Sequence, residues 1–340
     1  MTTTHSGNSI AVRGLRKTYG DKVVLDGLDL TIAAGEVFAL LGPNGSGKTT
    51  TVNILSTLLP ADAGTVEVGG HDLADDADGI RSVIGVTGQF AALDDLLTGR
   101  ENLRLMADLR HLGRAAGAAR VDDLLAQFGL TDAADKPVST YSGGMKRRLD
   151  LAMTLVSTPD VIFLDEPTTG LDPRSRRDLW ETIAGLAHSG VTILLTTQYL
   201  EEADQLADRI AVLDAGRIVA EGTAGDLKKL VHGAAVRLVF TDDTDFDRAA
   251  ATFPDAVAHA AGRRVDVPTD DTVRTLREAL SRIESENLEL ADVSIHTPTL
   301  DDVFFALTGH RPASEGPGTE AVDQPVAVDQ TTTHSEGVPR

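Results

Sequence analysis

Residues 37–55 read VFALLGPNGSGKTTTVNIL, which is an apolar run, a glycine-rich turn and a segment with helical apolar spacing. The apolar run predicts a buried strand, and the glycines after it let backbone N–H groups face an anion at a helix N-terminus. In this context we expect Lys48 to reach the β- and γ-phosphates of a nucleotide and the Thr49 hydroxyl to bind Mg²⁺. The predicted phosphate-binding residues are Gly42, Pro43, Asn44, Gly45, Ser46, Gly47, Lys48, Thr49 and Thr50.

Two adjacent carboxylates end a second apolar run, VIFLDE at residues 161–166. Ligands of open α/β sheets bind outside the carboxyl ends of the strands, so this run places both side chains at the binding edge. We expect Asp165 to hold Mg²⁺ and Glu166 to orient and deprotonate the attacking water. An isolated Asp-Glu pair is more often a solvated acidic turn, but the phosphate loop on the same chain favours the functional interpretation.

The order of patterns along the chain predicts the fold class. Short β-rich pieces with glycine turns cover residues 10–68, and helical spacing dominates residues 101–156. The apolar runs VIFL, VTILL, RIAVL and RIVAEG then alternate with helical segments, which is typical of a parallel sheet with crossover helices. We therefore predict an α/β P-loop NTPase core with a β-rich N-terminal subdomain and a helical insert over about residues 95–157.

A second, smaller unit follows the core. Its patterns are a strand AVRLVF, a helix with apolar positions at Val273, Leu276, Leu280 and Ile283, and the segments LELADVSIH and TLDDVFFAL. We predict a small α+β appendage over residues 233–310. Residues 311–340 contain no Phe, Trp or Tyr and are rich in Pro, Gly, Thr and acidic residues, so we expect a disordered tail there.

Composition excludes several functions. The 340 residues are 41% apolar and 24% charged, include no cysteine and carry a formal net charge of −21. Without cysteine there is no disulfide and no thiolate metal site. Because the negative charge repels phosphate backbones, we expect no nucleic-acid partner. The longest apolar runs, such as VFALL and VFFAL, have five residues, so we expect no membrane-spanning segment.

The stretch YSGGMKRRLDLA at residues 141–152 resembles the ATP-binding-cassette (ABC) ATPases, whose hallmark is a Ser-Gly-Gly turn ahead of a helix. The helix N-terminus gives Ser142, Gly143 and Gly144 a second anion-facing surface. The resemblance follows the family's motif order and implies an ABC ATPase domain over residues 9–232 that uses ATP and Mg²⁺. We interpret the basic residues that follow, 146–148, as a solvated helix face rather than a phosphate clamp.

The resemblance assigns three further residues. Tyr19 in KTYG matches the aromatic residue that stacks on adenine, and an ordinary surface tyrosine is the alternative. Gln89 in GVTGQF matches the loop glutamine that contacts Mg²⁺ and links the site to the membrane partner. Asp172 in TTGLDP matches the aspartate that connects the two sites across a dimer.

A second phosphate-facing turn on the same chain implies a second copy. Two copies packed head to tail would bury two ATP molecules, with residues 142–144 of each copy acting on the other copy's nucleotide. The resemblance therefore implies a homodimer that closes on ATP and opens after hydrolysis. Positioning and electrostatics would supply most of the catalysis.

Two positions depart from the family's pattern. Met145 stands where many cassettes carry Gln, and we expect little loss because the backbone donors remain. Gln198, in TTQYLEEAD, stands where most cassettes carry His. Its amide can donate to a γ-phosphate oxygen and accept from water, so we expect it to act in catalysis as a γ-phosphate sensor. The alternative is that Gln198 caps the helix that starts near Leu200.

The motifs YSGGM, TTQYLEEAD and PTLDDVFFALTG together resemble the ATPase subunits of drug exporters of the daunorubicin-resistance type. This resemblance implies efflux of a hydrophobic drug through a separate integral-membrane permease, with the ATPase bound peripherally at the cytoplasmic face of the cell membrane. It also suggests that the appendage helps to assemble that complex, against plain dimerisation or core capping. An importer ATPase stays open, because the motor parts are shared. A soluble ABC ATPase fits less well, given a single phosphate loop and strong negative charge.

Overall fold

The computed structural model of this chain describes residues 8–89, 92–231, 234–269 and 272–309. The described chain forms an N-terminal antiparallel sheet, a central and mostly parallel sheet, and a C-terminal antiparallel sheet. The predicted tail at residues 311–340 lies outside these ranges. Within them, no helix combines the length and the apolar composition that crossing a bilayer requires.

The N-terminal sheet has the strand order β2-β1-β4-β5. Its strands are β1 (Asn8–Tyr19), β2 (Lys22–Ala33), β4 (Ala63–Val68) and β5 (His71–Asp72). The sequence predicted short pieces, whereas β1 and β2 each run for 12 residues. They stay continuous because Gly14, at φ 59°, lies in a bulge between Val12 and Leu15 that keeps both of these side chains buried.

The central sheet confirms the predicted α/β core, with the strand order β10-β9-β3-β8-β7-β6. Its strands are β3 (Val37–Leu41), β6 (Ile84–Thr87), β7 (Val161–Asp165), β8 (Thr192–Thr197), β9 (Arg209–Asp214) and β10 (Arg217–Gly222). Neighbouring strands are parallel except β9 and β10. Every residue of β3, β7 and β8 is buried, which explains their apolar runs. The carboxyl ends of these three strands meet at one edge.

Helices cover this sheet and form the predicted insert. The helices outside the insert are α1 (Lys48–Leu55), α2 (Ala77–Val83), α6 (Pro173–His188), α7 (Leu200–Leu206) and α8 (Ala224–Lys228). The insert contains α3 (Gly99–Leu109), α4 (Arg114–Gln127) and α5 (Gly143–Thr154). A capping box between Thr98 and Glu101 starts α3 and so fixes where the insert begins.

The C-terminal sheet has the order β12-β13-β11-β14 and a separate apolar core. Its elements are β11 (Ala235–Phe240), α9 (Asp243–Thr252), β12 (Val257–His259), β13 (Arg264–Pro268), α10 (Thr272–Ser285) and β14 (Leu290–His296). The α+β class is as predicted, but α9, β12 and β13 were not predicted. On α10, Ala279 and Ile283 are buried, whereas Val273, one of the apolar positions of the predicted helix, is 67% exposed.

The last described helix, α11 (Leu300–Thr308), does not pack in the C-terminal unit. Its side chains Leu300, Val303 and Phe304 are buried in the same core as the central sheet and the insert, and α11 contacts α7 and α8. The prediction had placed this segment within the appendage at residues 233–310. The difference arises because the apolar face of α11 finds its partners on the first unit, so the chain returns to that unit after β14.

Two adjacent phenylalanines on α11 provide a matched test of this packing. Phe304 is 3% exposed and Phe305 is 52% exposed. We expect Phe304→Ala to lower the free energy of unfolding by about 3–5 kcal/mol, because it leaves a cavity in the core. Phe305→Ala should change it by less than about 0.5 kcal/mol. Urea unfolding of the two variants measures the difference, and equal losses would contradict this placement of α11.

Candidate active site

The glycine-rich loop, residues 42–47, connects β3 to α1 at the edge where the strands end. The N–H of Gly42 donates to the Thr197 carbonyl oxygen at 3.2 Å, which ties the loop to the end of β8. The buried Lys48 Nζ donates to the carbonyl oxygens of Gly42 (2.8 Å) and Pro43 (3.1 Å). The lysine therefore lies along the inside of the loop, as the predicted phosphate cradle requires.

Glycine is required at two loop positions by different contacts. A Cβ on Gly42 would collide with the carbonyl oxygen of Leu213 at the end of β9. Gly47 has φ 114°, and a Cβ there would lie 2.7 Å from a methyl carbon of Leu25 on β2. The loop is thus held between the central sheet and the N-terminal sheet. Within the loop, Asn44 and Gly45 are exposed to solvent.

Asp165 accepts hydrogen bonds from two threonines through a single oxygen. The Thr196 hydroxyl donates to Asp165 Oδ1 at 2.5 Å, and the Thr49 hydroxyl donates to the same atom at 3.2 Å. These hard oxygens fit Mg²⁺, which binds proteins through one or two carboxylates and takes its other ligands from substrate phosphates and water. Consistent with that, the described chain has no cluster of three or more His, Cys, Asp or Glu side chains arranged to hold a metal.

Glu166 follows β7 in the left-handed region of backbone conformation, at φ 47°. Its N–H donates to the Thr196 carbonyl oxygen at 3.1 Å and to the Thr196 hydroxyl at 3.0 Å, which holds this costly conformation. The carboxylate reaches back over the loop, with Oε1 3.5 Å from Lys48 Nζ and Oε2 accepting from the Thr169 hydroxyl at 3.3 Å. The predicted base and the predicted phosphate-binding lysine therefore form an ion pair.

Burial lowers the pKa of Lys48, and the nearby carboxylates of Glu166 and Asp165 oppose that shift. The dominant cause is desolvation, because the side chain is only 4% exposed. Because the two carboxylates do not fully offset the desolvation, any further negative charge nearby would stabilise the charged ammonium. An anion bound in this loop would therefore favour the charged form of Lys48.

The Ser-Gly-Gly turn starts α5, as predicted. Ser142 and Gly143 are exposed, and Ser142 caps the helix by accepting from the Met145 N–H at 3.3 Å. A Cβ on Gly144 would lie 2.6 Å from the hydroxyl of Ser175 on α6, so this glycine lets the two helices approach. In the described chain no hydrogen bond joins this turn to the phosphate loop.

Asp172 is the N-cap of α6. Its carboxylate accepts from the backbone N–H groups of Arg174 (3.1 Å) and Ser175 (3.0 Å) and from the Ser175 hydroxyl (2.6 Å). The hydrogen bonds from Ser175 and Arg174 lower the pKa of Asp172. Since Gly144 also lies against Ser175, Asp172 and the Ser-Gly-Gly turn belong to one packed unit.

The remaining predicted residues lie at or just after the ends of strands. Gln89 is exposed two residues after β6. Tyr19 ends β1, is 50% exposed, and has the Lys17 ammonium 5.7 Å from its ring centroid. Gln198 is partly exposed directly after β8. The alternative role of Gln198 as a helix cap is wrong, because the N-cap of α7 is Tyr199 and no side chain caps that helix.

The interpretation of residues 146–148 as a solvated face is wrong for Arg147. This side chain is 7% exposed and its guanidinium donates to the carbonyl oxygens of Pro167 (2.7 Å) and Gly88 (2.7 Å). Lys146 and Arg148 do lie at the periphery, partly exposed. Of the three basic residues, Arg147 is therefore buried and hydrogen-bonded to the backbone around the site.

Glu202 on α7 was not singled out by the sequence and is fully buried beneath the site. Its Oε1 accepts from the Trp180 indole N–H at 3.3 Å. Burial raises the pKa of Glu202, although the hydroxyls of Thr197 and Thr168, the indole and the charge of Arg176 favour the ionised form. The carboxyl therefore holds its proton more strongly in the fold than an exposed glutamate does.

Comparisons with known proteins agree with this geometry. The ABC transporter family matches residues 25–169. The chain is 50% identical over 303 residues to the daunorubicin resistance ATP-binding protein DrrA3 of Streptomyces coeruleorubidus, covering 88% of this chain and 96% of the relative. It is 46% identical over 327 residues to the daunorubicin/doxorubicin resistance ATP-binding protein DrrA of Streptomyces peucetius, covering 94% and 98%.

A solved structure described as a dimeric, post-hydrolysis state of an ATP-binding cassette bound to ADP and Pi has a TM-score of 0.58 to this chain. The two are 27% identical, and the match covers 63% of this chain and 98% of that one. Phosphate loop, acidic strand end and parallel sheet define a P-loop ATPase. The chain belongs to the ABC transporter family, as the predicted resemblance implied, and its relatives above are drug-resistance ATP-binding proteins.

Because the pKa of Glu202 is raised, we expect Glu202→Gln to increase the free energy of unfolding relative to the wild type, by an amount that depends on pH. The ordinary glutamate pKa is near ~4.3. Above that pH the unfolded chain loses the proton while the folded chain keeps it, so the wild type loses stability as pH rises toward the folded pKa. Glu202→Gln lacks this loss, and its advantage should grow by up to about 1.4 kcal/mol per pH unit. Urea unfolding at pH ~4.5 and ~5.5, just above the ordinary glutamate pKa, measures the change.

The matched control is Glu201→Gln, since Glu201 is the exposed neighbour on the same helix. Its stability relative to the wild type should not change between the two pH values. A Glu202→Gln difference that stays constant with pH, or shrinks as pH rises, would show that the buried carboxyl is ionised in the fold.

Proposed function

We propose that this chain is the ATP-hydrolysing motor subunit of an exporter that removes a hydrophobic drug through a separate membrane permease. The observation that carries the hydrolytic part is the cluster of Lys48, Thr49, Asp165 and Glu166 at one edge of the central sheet. The export part is supported by the relatives, which are named for daunorubicin and doxorubicin resistance.

In this proposal the chain's own residues divide the work of hydrolysis. Residues 42–50, with Lys48 among them, would bind and orient the phosphates. Thr49, Asp165 and Gln89 would hold Mg²⁺, which would supply charge neutralisation. Glu166 orients the attacking water and accepts its proton. The phosphates draw Lys48 away from Glu166, because their charge outweighs that of one carboxylate, and so free Glu166 to act as the base.

Two copies complete the site. Within one chain the Ser-Gly-Gly turn lies at the start of α5 and has no hydrogen bond to the phosphate loop in the described ranges, yet it presents exposed Ser142 and Gly143. In a head-to-tail homodimer these residues and Gly144 would contact the partner's ATP, and Asp172 would lie between the two sites. The dimeric state of the solved cassette with ADP and Pi supports this arrangement.

Each predicted domain has a proposed role. Residues 9–232 are the ATPase domain, with the helical subdomain over about residues 95–157. Of the predicted appendage at residues 233–310, the unit from β11 to β14 assists assembly with the permease, and α11 packs on the ATPase domain. Tyr19 stacks on adenine. The subunit binds the permease peripherally at the cytoplasmic face of the cell membrane, without contact to nucleic acid.

Glu166→Gln tests the proposed function most directly. The variant should lose ATP hydrolysis by at least ~10²-fold while it keeps ATP affinity, because the amide cannot accept the proton but fills the same space. With Mg-ATP it should form a stable dimer, measured by light scattering of the full chain alone or with its permease. The control is Glu181→Gln, an exposed glutamate on α6, which should hydrolyse ATP and dissociate like the wild type. Hydrolysis at the wild-type rate by Glu166→Gln would overturn the proposal.

Gln198 has its own test through a pair of substitutions. We expect Gln198→Ala to lower kcat for ATP by about 10-fold or more, because it removes an amide that would position water and the γ-phosphate. Gln198→His, which restores a donor of similar reach, should keep more activity than the alanine variant. The measurement is steady-state phosphate release, and a wild-type rate for Gln198→Ala would exclude the sensing role.

A further inference from the structure

The guanidinium of Arg147 joins the acidic strand end to the loop after β6. Its Nη2 donates to the carbonyl oxygen of Asp165 at 3.2 Å and to that of Glu166 at 3.5 Å. Its Nε donates to Pro167 and its Nη1 to Gly88, both at 2.7 Å. One side chain on α5 thus bonds to the backbone on both sides of the predicted base and next to Gln89.

Asp150, one turn further along α5, completes the arrangement. Its Oδ2 lies 3.3 Å from Arg147 Nη1, and the two residues are 4% and 7% exposed. Asp150 Oδ1 accepts from the Ala92 N–H at 3.1 Å. Since Gly88 and Ala92 lie on either side of Gln89 in the chain, the pair holds the backbone before and after that residue.

Stability alone does not account for this pair. Burial lowers the pKa of Arg147 and raises the pKa of Asp150, and the opposite charge of the partner counters each shift. Buried ion pairs can often be replaced by apolar residues without loss of stability, since desolvation offsets most of their attraction. What apolar residues cannot replace is the set of directed bonds to the Gln89 loop and the Glu166 turn.

We propose that Arg147 and Asp150 are positioning residues for ATP hydrolysis, which fix the Gln89 loop and the Glu166 turn relative to each other and to α5. The inference rests on the proposed roles of Gln89 and Glu166. Neither Arg147 nor Asp150 contacts the nucleotide, because their polar atoms are committed to backbone groups and to each other. A displacement of either segment is passed to α5, whose first turn carries the Ser-Gly-Gly motif.

Arg147→Lys keeps the charge but loses the planar fork of donors that serves several carbonyl oxygens at once. We expect kcat for ATP to fall on the order of 10- to 100-fold, the cost of a misplaced catalytic group, with the KM for ATP within about 2-fold. The matched control is Arg148→Lys on the same helix. Arg148 also donates to a backbone carbonyl, that of Phe128 at 3.2 Å, but within the insert, so its variant should keep wild-type kcat.

An apolar double variant separates positioning from stability. Arg147→Met combined with Asp150→Leu removes both buried charges and so leaves no unpaired charge in the core, and thermal unfolding of the variant checks that it is folded. Its kcat should nevertheless remain at least ~10-fold reduced, with fluorescent ATP analogue affinity preserved. Wild-type kcat in this folded double variant would overturn the proposal.

A double-mutant cycle decides the matter if the apolar variant does not fold. Asp150→Asn keeps the shape and an acceptor for Ala92 but removes the charge paired with Arg147. In a Gln89→Ala background we expect Asp150→Asn to lower kcat much less than it does in the wild type. The reason is that Asp150 acts by positioning Gln89, and the Gln89 side chain is already absent. Additive losses would overturn the proposal. If Glu166→Gln or Gln89→Ala leaves hydrolysis intact, the proposed function itself fails, whatever the cycle shows.

Discussion

The end of β8 is the contact on which the site depends. Thr196 donates its hydroxyl to Asp165 and accepts the Glu166 N–H, while the Thr197 carbonyl oxygen accepts the Gly42 N–H. Two consecutive buried residues therefore hold Asp165, Glu166 and the glycine-rich loop in place relative to one another. Because β8 lies between β3 and β7 in a parallel sheet, the carboxyl ends of all three strands reach the same edge.

Motifs in which the backbone conformation requires particular residue types could be predicted from the sequence. The glycines of the phosphate loop, the Asp165–Glu166 strand end and the Ser-Gly-Gly turn are visible because each needs special residues at fixed spacing. Arg147 and Glu202 could not be predicted in the same way. Both are charged residues on helices, where the ordinary position is a solvated face, and only the tertiary packing of α5 and α7 decides that these two point inward.

The C-terminal region shows a second limit of sequence patterns. The segment TLDDVFFAL was predicted as part of the appendage from its position in the chain, and periodicity does show that α11 has an apolar face. Periodicity carries no information about which neighbour that face meets. The structure assigns Leu300 and Phe304 to the core of the ATPase unit, next to α7. Which unit the apolar face of α11 packs on depends on the shape of the neighbouring surfaces and on the apolar area that they leave exposed. Neither property can be inferred from local residue spacing.

Placement of α11 also constrains how the two units can act on one another. α7 begins two residues after Gln198, and it carries Glu202 inward against Trp180 of α6, the helix capped by Asp172. The helix α11 thus packs on α7, the element that follows Gln198. Since packed helices shift as units rather than deforming continuously, we expect a shift of α7 to be accompanied by an adjustment along the α7–α11 contact. The C-terminal segment is for this reason mechanically part of the ATPase unit.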